Sequence, residues 1–476
     1  MKIAMIASEA NPLVKSGGLA DVVYSLSREL NKMNEEAIIV LPFYKKIKSK
    51  YNPEYLGYTY IDMAWRHLYL GIFKLVIDNI TYYLLDNETY FGRDELYGYD
   101  DDGERFAYFA LASIEALRYI SFKPDVIHVH DWQAAIIPCI LKERYQFDDF
   151  FNKAGTVLTI HNPAFKGYLD KYFLGDFFSL NDSLFDNGRV RFDNMVSTLK
   201  AGISYADKIT TVSPTHRNEL LDPYSDFRFN YDLELRKDDF LGVVNGIDTV
   251  EFDPHNDKKI AKEYSKTSFL KAKEENKKAL LETLALPNDF KGPVYGLVSR
   301  LTWQKGIDLI LENALHIIAN GGALAILGSG EPNLEAAFQA LRNQYPDRVG
   351  IYIGYNDALA HKVYAGSDFF LMPSLFEPCG IGQLIAQRYG TLPIVRVTGG
   401  LADTVIGYND FNVDVANGFS FFDYNGLALG GALNHTFRVY NDKETFKKLV
   451  KNALSLDLSW KKSTMSYIDI YKKVVR

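Results

Sequence analysis

Cysteine is nearly missing from this chain: Cys139 and Cys379 are the only two among 476 residues. Two thiols offer no disulfide framework and suit a reducing compartment. Long apolar runs are missing as well, since no stretch approaches the roughly 18 residues of a membrane span. The opening MKIAMIASEAN has one Lys and too short an apolar run for a signal peptide, and reads as a first buried strand. Basic residues are in deficit, 53 Lys and Arg against 60 Asp and Glu, for a net charge of −7. That balance argues against a nucleic acid or an anionic membrane as the main partner, while leaving room for a local basic pocket. A cytoplasmic location is the expectation.

What is present is ordinary for a globular protein, 47% hydrophobic with 24% charged residues. The length exceeds what one core usually serves, so two domains are expected. Aromatics are abundant, with 32 Tyr and 31 Phe. They could form stacking platforms for sugars or simply fill cores.

Short apolar runs alternate with segments of helical period. KIAMIA (2–7) reads as a strand, and Leu19, Val22, Val23, Leu26 and Leu30 then fall on one helical face. Further strands are expected at 37–42, 125–130, 156–161 and 208–212, with a β-rich insertion, read as a hairpin, around 68–86. A second series follows at 294–299, 323–328, 349–354, 369–374 and 392–397. Strands buried on both faces and linked by helices imply parallel, doubly wound sheets. The expectation is an α/β protein of two Rossmann-like domains, 1–245 and 246–455, around an interdomain cleft. A C-terminal helix within 456–476 is expected to cross back onto the first domain.

In such sheets ligands bind beyond the carboxyl ends of strands, at glycine turns and helix starts. The motifs lie there. Lys15 with Gly17 and Gly18, in KSGGLADVV, follows the first strand and opens a helix, an anion site or a tight turn. The same GGLAD word returns with Gly399 and Gly400 after strand 392–397. Arg300 and Lys305, in SRLTWQKGID, offer two cations suited to a diphosphate, or a solvated basic loop. Glu377, in PSLFEPCG beside Cys379 and Gly380, could bond sugar hydroxyls, balance developing positive charge, or merely cap a helix. His161 and Asn162, in HNPAF, are hydroxyl partners at a crevice edge. His128 and His130 share a strand face, but with Asp131 they fall short of a metal site. Asp100, Asp101 and Asp102 read as a solvated acidic loop.

Taken in order, ASEANPLVKSGGLADV, HVHDWQAAIIP, TIHNPAFKG, STLKAGISYADKITTVSP, VVNGID, SRLTWQKGIDLI, PSLFEPCG and RYGTLPIVRVTGGLADTV resemble bacterial glycogen synthases and plant starch synthases. These are retaining glucosyltransferases of the GT-B fold that use ADP-glucose. The resemblance spans essentially the whole chain. It implies that Lys15, Gly17 and Gly18 hold a pyrophosphate from the N-terminal side, and that Arg300 and Lys305 hold it from the C-terminal side. Glu377 would bond glucose hydroxyls, with Cys379 and Gly380 shaping its turn and Gly399 and Gly400 meeting the nucleotide sugar. Asp131, His161 and Asn162 would line the sugar site, Asn245 would sit where the domains meet, and Tyr355 would stack on the nucleobase. ADP-glucose is then a substrate, an α-1,4-glucan such as glycogen the acceptor, and no metal or other cofactor is expected.

The chain departs from the family pattern at Leu375 (usually Arg), Gly382 (usually Thr) and Ile385 (usually Tyr). Phe252 stands for Trp, Phe165 and Lys166 for Tyr-Gln, and 229–239 keeps little of a glycine-rich segment. Three other readings stay open on sequence alone: a glucosyltransferase for UDP-glucose or another acceptor, a weakly active binding homologue, and a metal-dependent enzyme using His128, His130 and Asp100–Asp102. Oligomeric state is not legible.

Overall fold

A computed structural model describes residues 1–476. The chain divides into two compact units, Met1–Asn245 with Trp460–Arg476, and Gly246–Ser459.

The first unit is built on a nine-stranded sheet. Seven strands run parallel, in the spatial order Phe240–Gly242, Lys208–Thr211, Gly155–Ile160, Val126–His130, Lys2–Ile6, Glu36–Pro42 and Ile80–Asp86. Arg66–Ile77 and Glu54–Met63 then continue the sheet antiparallel to its edge. The hairpin expected at 68–86 is present as Arg66–Ile77 and Ile80–Asp86; Glu54–Met63 extends it to a three-strand meander, hydrogen-bonded to the main sheet through Ile80–Asp86. Its alternating pattern shows local pairing but cannot show that the last strand also finds Glu36–Pro42. Phe240–Gly242 and the small sheet of Tyr168–Leu169, Met195–Ser197 and Arg191–Phe192 were too short to show a period.

Helix Gly18–Lys32 lays Leu19, Val22, Val23, Leu26 and Leu30 against this sheet, all buried. Each such side chain contributes about 1.5–3 kcal/mol, so the stripe is enough to hold the helix and the loop before it. Helix Trp460–Lys472 belongs to the same unit and buries Trp460, Thr464, Tyr467 and Tyr471. The reading of Asp100–Asp102 as a solvated run holds for the exposed Asp100 and is corrected for the other two. Asp101 pairs with Arg93 at 2.5 Å, and Asp102 pairs with the fully buried Arg105. A charge run looks solvated until its partners, here from either side along the chain, are folded onto it.

The second unit has six parallel strands in the order Val349–Ile353, Ala323–Gly328, Val294–Val298, Phe369–Met372, Leu392–Arg396 and Phe419–Phe421. Phe419–Phe421, three residues long, escaped the periodicity. In each unit the first strand of the series, Lys2–Ile6 or Val294–Val298, has later strands on both sides. The chain departs from it in opposite directions. Its carboxyl end is thus a topological switch point, where crossovers part and leave a crevice.

Candidate active site

In the second unit the switch point carries the loop 299–306. Arg300 is exposed and makes no ion pair. Lys305 is largely buried, and its Nζ donates to Glu377 Oε2 at 2.5 Å, with the Ser374 hydroxyl on the same oxygen at 3.1 Å. The two loops are stitched together: Leu375 N–H donates to Gln304 O at 2.9 Å, and Gln304 Nε2 to Phe376 O at 3.4 Å. Gly306, at φ +68, packs so closely that a Cβ would stand 2.1 Å from Pro373 O. Arg396 braces the same turn from the next strand, its Nε donating to Ser374 O at 3.1 Å and its Nη2 to Leu375 O.

Gly399 and Gly400 lie on the turn that carries Glu377. Gly400 N–H donates to Glu377 O and Pro378 O at 3.1 and 3.0 Å. Gly380, at φ +73, shapes that turn, and Cys379 within it is buried. Arg300, Lys305, Glu377, Cys379, Gly380, Gly399 and Gly400 thus occupy adjoining strand ends. Tyr355 sits in the turn after Val349–Ile353 with its ring 87% exposed, accessible for stacking.

In the first unit, the loop after Lys2–Ile6 closes on itself. Glu9 accepts from the Ser16 hydroxyl at 2.6 Å, from the Ser16 N–H, and from Tyr97 OH at 2.7 Å. Lys15 pairs with Asp21 at 2.7 Å, and Asn11 bonds the same carboxylate. Burial pushes the Asp21 carboxyl up despite Lys15. Gly17 N-caps the helix, and a Cβ there would meet nothing within 4 Å. Residues 15–18 are all exposed. The carboxylates of Glu9 and Asp21 thus order this glycine turn, its lysine and the helix start that follows it.

At the ends of the next two strands, Asp131, His161 and Asn162 are brought together. Asp131 takes φ +54, a turn that Asp tolerates better than most residues, and accepts from His161 N–H at 2.7 Å and Asn162 N–H at 3.3 Å. Burial pushes its carboxyl up to about 7. His161 Nε2 lies 3.0 Å from His130 Nδ1. His128 bonds Tyr471 OH at 2.8 Å and Thr159 Oγ1 at 2.6 Å. Burial drops His128 and His161 to about 3 and His130 well below its usual range, so all three imidazoles are neutral at physiological pH. His130 Nε2 is buried without a partner, as is Asn245 Oδ1 at the end of the first unit. The spacing HVH marked two histidines of this chain of rings. His161 and Tyr471, the links at either end, come from distant sequence and carried no joint signal.

One group of metal-type ligands exists elsewhere, Glu251, Asp357 and His361. The Lys259 ammonium already lies among them, 2.6 Å from Asp357 and 3.2 Å from His361 Nε2. That is an ion-pair cluster with its own resident cation.

Segment 229–239 is integrated into the first unit despite its departures. Leu233 is in the core, Asp232 pairs with Lys200, and Arg236 donates to the carbonyls of Ile203, Ala206 and two neighbours. At Gly382, a Cβ would approach the Phe370 ring to 3.1 Å, so the usual larger residue would need that ring to give way.

Two parallel-sheet units with basic and glycine-rich turns at their switch points define a glycosyltransferase of the GT-B class, as known folds bear out. The solved catalytic domain of starch synthase IV from Arabidopsis thaliana, bound to ADP and acarbose, matches with a TM-score of 0.90 and 30% identity. The match covers 100% of this chain and 99% of that one. Residues 2–235 match the model of the starch synthase catalytic domain, and residues 285–455 that of glycosyl transferases group 1. Glycogen synthases of Bacillus cereus (strain B4264) and Clostridium kluyveri are 43% and 42% identical, each match covering 100% of both chains. The chain belongs to the glycogen synthase family.

Proposed function

We propose that the protein transfers glucose from ADP-glucose to the non-reducing end of an α-1,4-glucan, with retention of configuration. The observation that carries this reading is the Lys305–Glu377 pair at 2.5 Å beside the unpaired Arg300, at the switch point of the second unit. Breaking a glycosyl–phosphate bond leaves positive charge on the sugar ring and negative charge on the departing diphosphate. Preorganised groups of opposite sign, fixed before the reaction, stabilise both. Arg300 offers a planar fork to phosphate oxygens and Lys305 a point charge. Lys305 shares its charge between phosphate and Glu377, and Glu377 bonds glucose hydroxyls and faces the developing oxocarbenium centre. Gly399 and Gly400 serve this centre by bracing the Glu377 turn.

The exposed N–H groups and Lys15 around Gly17 and Gly18 bind phosphate oxygens, and Tyr355 supplies a ring for the adenine. His161, neutral and hydrogen-bonded through its ring to His130, accepts or donates to sugar hydroxyls without adding charge, while Asp131 fixes the loop of His161 and Asn162. The departing phosphate takes the acceptor proton on the face it leaves, so retention needs no protein nucleophile. Cations of the chain perform the neutralisation that a metal supplies elsewhere, and no cofactor is assigned.

The test is nucleotide release with glycogen as acceptor. ADP appearing from ADP-glucose, with glycogen elongation, is the expected result. Release only of UDP from UDP-glucose would move the donor assignment, and no release from either would overturn the reading.

A further inference from the structure

Lys305 and Glu377 stand on separate loops, 299–306 and 373–378, which meet through their own ion pair and the backbone bond from Leu375 to Gln304. A third connection runs through side chains of two other elements. The Arg396 guanidinium, at the end of strand Leu392–Arg396, donates from Nε to Ser374 O at 3.1 Å, from Nη2 to Leu375 O, and from Nη1 to Phe422 O at 3.3 Å. Its central carbon lies 6.0 Å from the centre of the Tyr424 ring, a cation over an aromatic face. The Tyr424 hydroxyl donates to Asp308 Oδ1 at 2.7 Å and lies 3.2 Å from Trp303 O. Trp303 belongs to the Lys305 loop, and Asp308 to the first turn of helix Ile307–Ala319 that follows it. Burial, with the Asp308 carboxylate beside it, pushes this phenol up, so it stays a donor at physiological pH.

Tyr424 is itself held in place. Its neighbour Asn425 caps helix Gly426–Asn441 by accepting from Ala428 N–H at 2.8 Å. The buried Asn313 donates to Gly426 O at 3.0 Å from within helix Ile307–Ala319. Gly426 packs so closely there that a Cβ would stand 2.2 Å from the Glu312 carboxyl. The segment that carries Tyr424 is thus seated on the helix that begins at the Lys305 loop.

We infer that Arg396 and Tyr424 are positioning residues, which together clamp the Lys305 loop to the Glu377 loop at the spacing their ion pair requires. That the pair must keep this spacing during transfer rests on the proposed function. A diphosphate that draws on the Lys305 ammonium takes it partly from Glu377, so the pair no longer fixes its own loops. The outer circuit does so instead, from the Glu377 loop to Arg396, from Arg396 to Tyr424, and from Tyr424 to Trp303 and Asp308. Its bonds end on carbonyls and on a carboxylate of the chain, which a diphosphate does not replace. The planar fork of arginine reaches three carbonyls at once, as the point charge of lysine does not. Preorganised charges act only while they stay fixed, and a misplacement of about 1 Å costs about 100-fold in rate.

The experiment uses the full chain with Tyr424→Phe and Arg396→Lys, each alone, together, and added to Lys305→Ala. Phe keeps the ring beside the guanidinium, and Lys keeps the charge. In transfer from ADP-glucose to glycogen, each single variant should lose about tenfold in kcat, with KM for glycogen within about twofold of wild type. The double variant should fall little further than the worse single one, since either change opens the circuit. Added to Lys305→Ala, Tyr424→Phe should change kcat by less than about twofold, because the group it positions is already gone. The Lys305 and Leu375 amides donate to Thr302 O and Gln304 O at 3.0 and 2.9 Å. Their hydrogen exchange should quicken about tenfold in both single variants while strand Val294–Val298 keeps its protection. A lower melting temperature with unchanged kcat would make the pair structural only and overturn the inference, as would full additivity with Lys305→Ala. Quickened exchange in a chain that transfers no glucose would uphold the clamp and overturn the proposed function instead. Transfer with rates and exchange insensitive to both variants would do the reverse.

Discussion

A Cβ placed on Gly399 would stand 2.0 Å from the carbonyl oxygen of Glu377, and Gly399 itself has φ +43. Glycine at this position lets the turn after Leu392–Arg396 lie flat against the turn that carries the carboxylate. Gly399→Ala must push the two apart or strain the left-handed backbone. A loss of about 2–4 kcal/mol in stability is expected, with kcat/KM falling about 100-fold as Glu377 is displaced. Thermal melting and glucosyl transfer measure the two; wild-type behaviour in both would show that the second GGLAD does not brace this site.

Gly17, in the first GGLAD, makes the opposite prediction. A Cβ there meets nothing within 4 Å, and the residue is at an ordinary extended φ of −156. Gly17→Ala should lose no more than about 1 kcal/mol, the cost of Ala at an N-cap, yet raise KM for the nucleotide sugar, because the methyl stands where a phosphate oxygen approaches the N–H groups. An unchanged KM would remove this turn from the binding site.

Lys305→Ala leaves Glu377 with only the Ser374 hydroxyl as a side-chain partner. The expected fall in kcat is about 10²–10³-fold, the range for removing one preorganised electrostatic group. Glu377→Gln keeps the shape but loses the charge, and should fall comparably. Ser374→Ala should cost about tenfold, the lower end for one neutral-to-charged hydrogen bond. Steady-state kinetics at saturating donor separates these; equal, small effects from all three would contradict the role of the pair.

The buried imidazoles predict acid sensitivity. His128 and His161 titrate at about 3 in the folded chain against an ordinary 6.5. Between those limits the unfolded chain holds more protons, so this stability is present above pH 6.5 and is lost as pH falls. Asp131, raised to about 7 from 3.8, works the other way over its own window, where the folded chain holds the extra proton. Two histidines against one carboxyl leave a net loss of stability as pH falls from 6 to 4, and His130 adds to it in the same direction. Urea unfolding at pH 6, 5 and 4 reads the slope. His128→Gln should reduce it, and an unaltered slope would mean the ring is not held neutral.

Arg236, in the segment with the least family character, donates to the carbonyls of Ile203 at 2.8 Å and Ala206 at 2.7 Å, at the end of helix Thr198–Tyr205. Arg236→Ala leaves those acceptors without their partner, and a loss of about 2–4 kcal/mol is expected. A melting temperature equal to wild type would show the segment to be dispensable.

The strands from KIAMIA to LPIVRV were legible because each is a short apolar run at a regular distance from an amphipathic helix. That local alternation determines parallel α/β units, and with it the rule that chemistry sits at strand ends. Lys15, Arg300, Lys305, Glu377 and His161 were legible for the same reason, as polar residues in turns directly after such runs. Tertiary structure alone decided the rest, because pairing across distance has no local signature. It joined Lys305 to Glu377 across 72 positions, and linked His161 to His130 and Tyr471 to His128. It also gave the two identical GGLAD words different surroundings. A five-residue sequence sets its own backbone freedom, but open solvent around Gly17 and a carbonyl against Gly399 are set by what the sheet brings alongside.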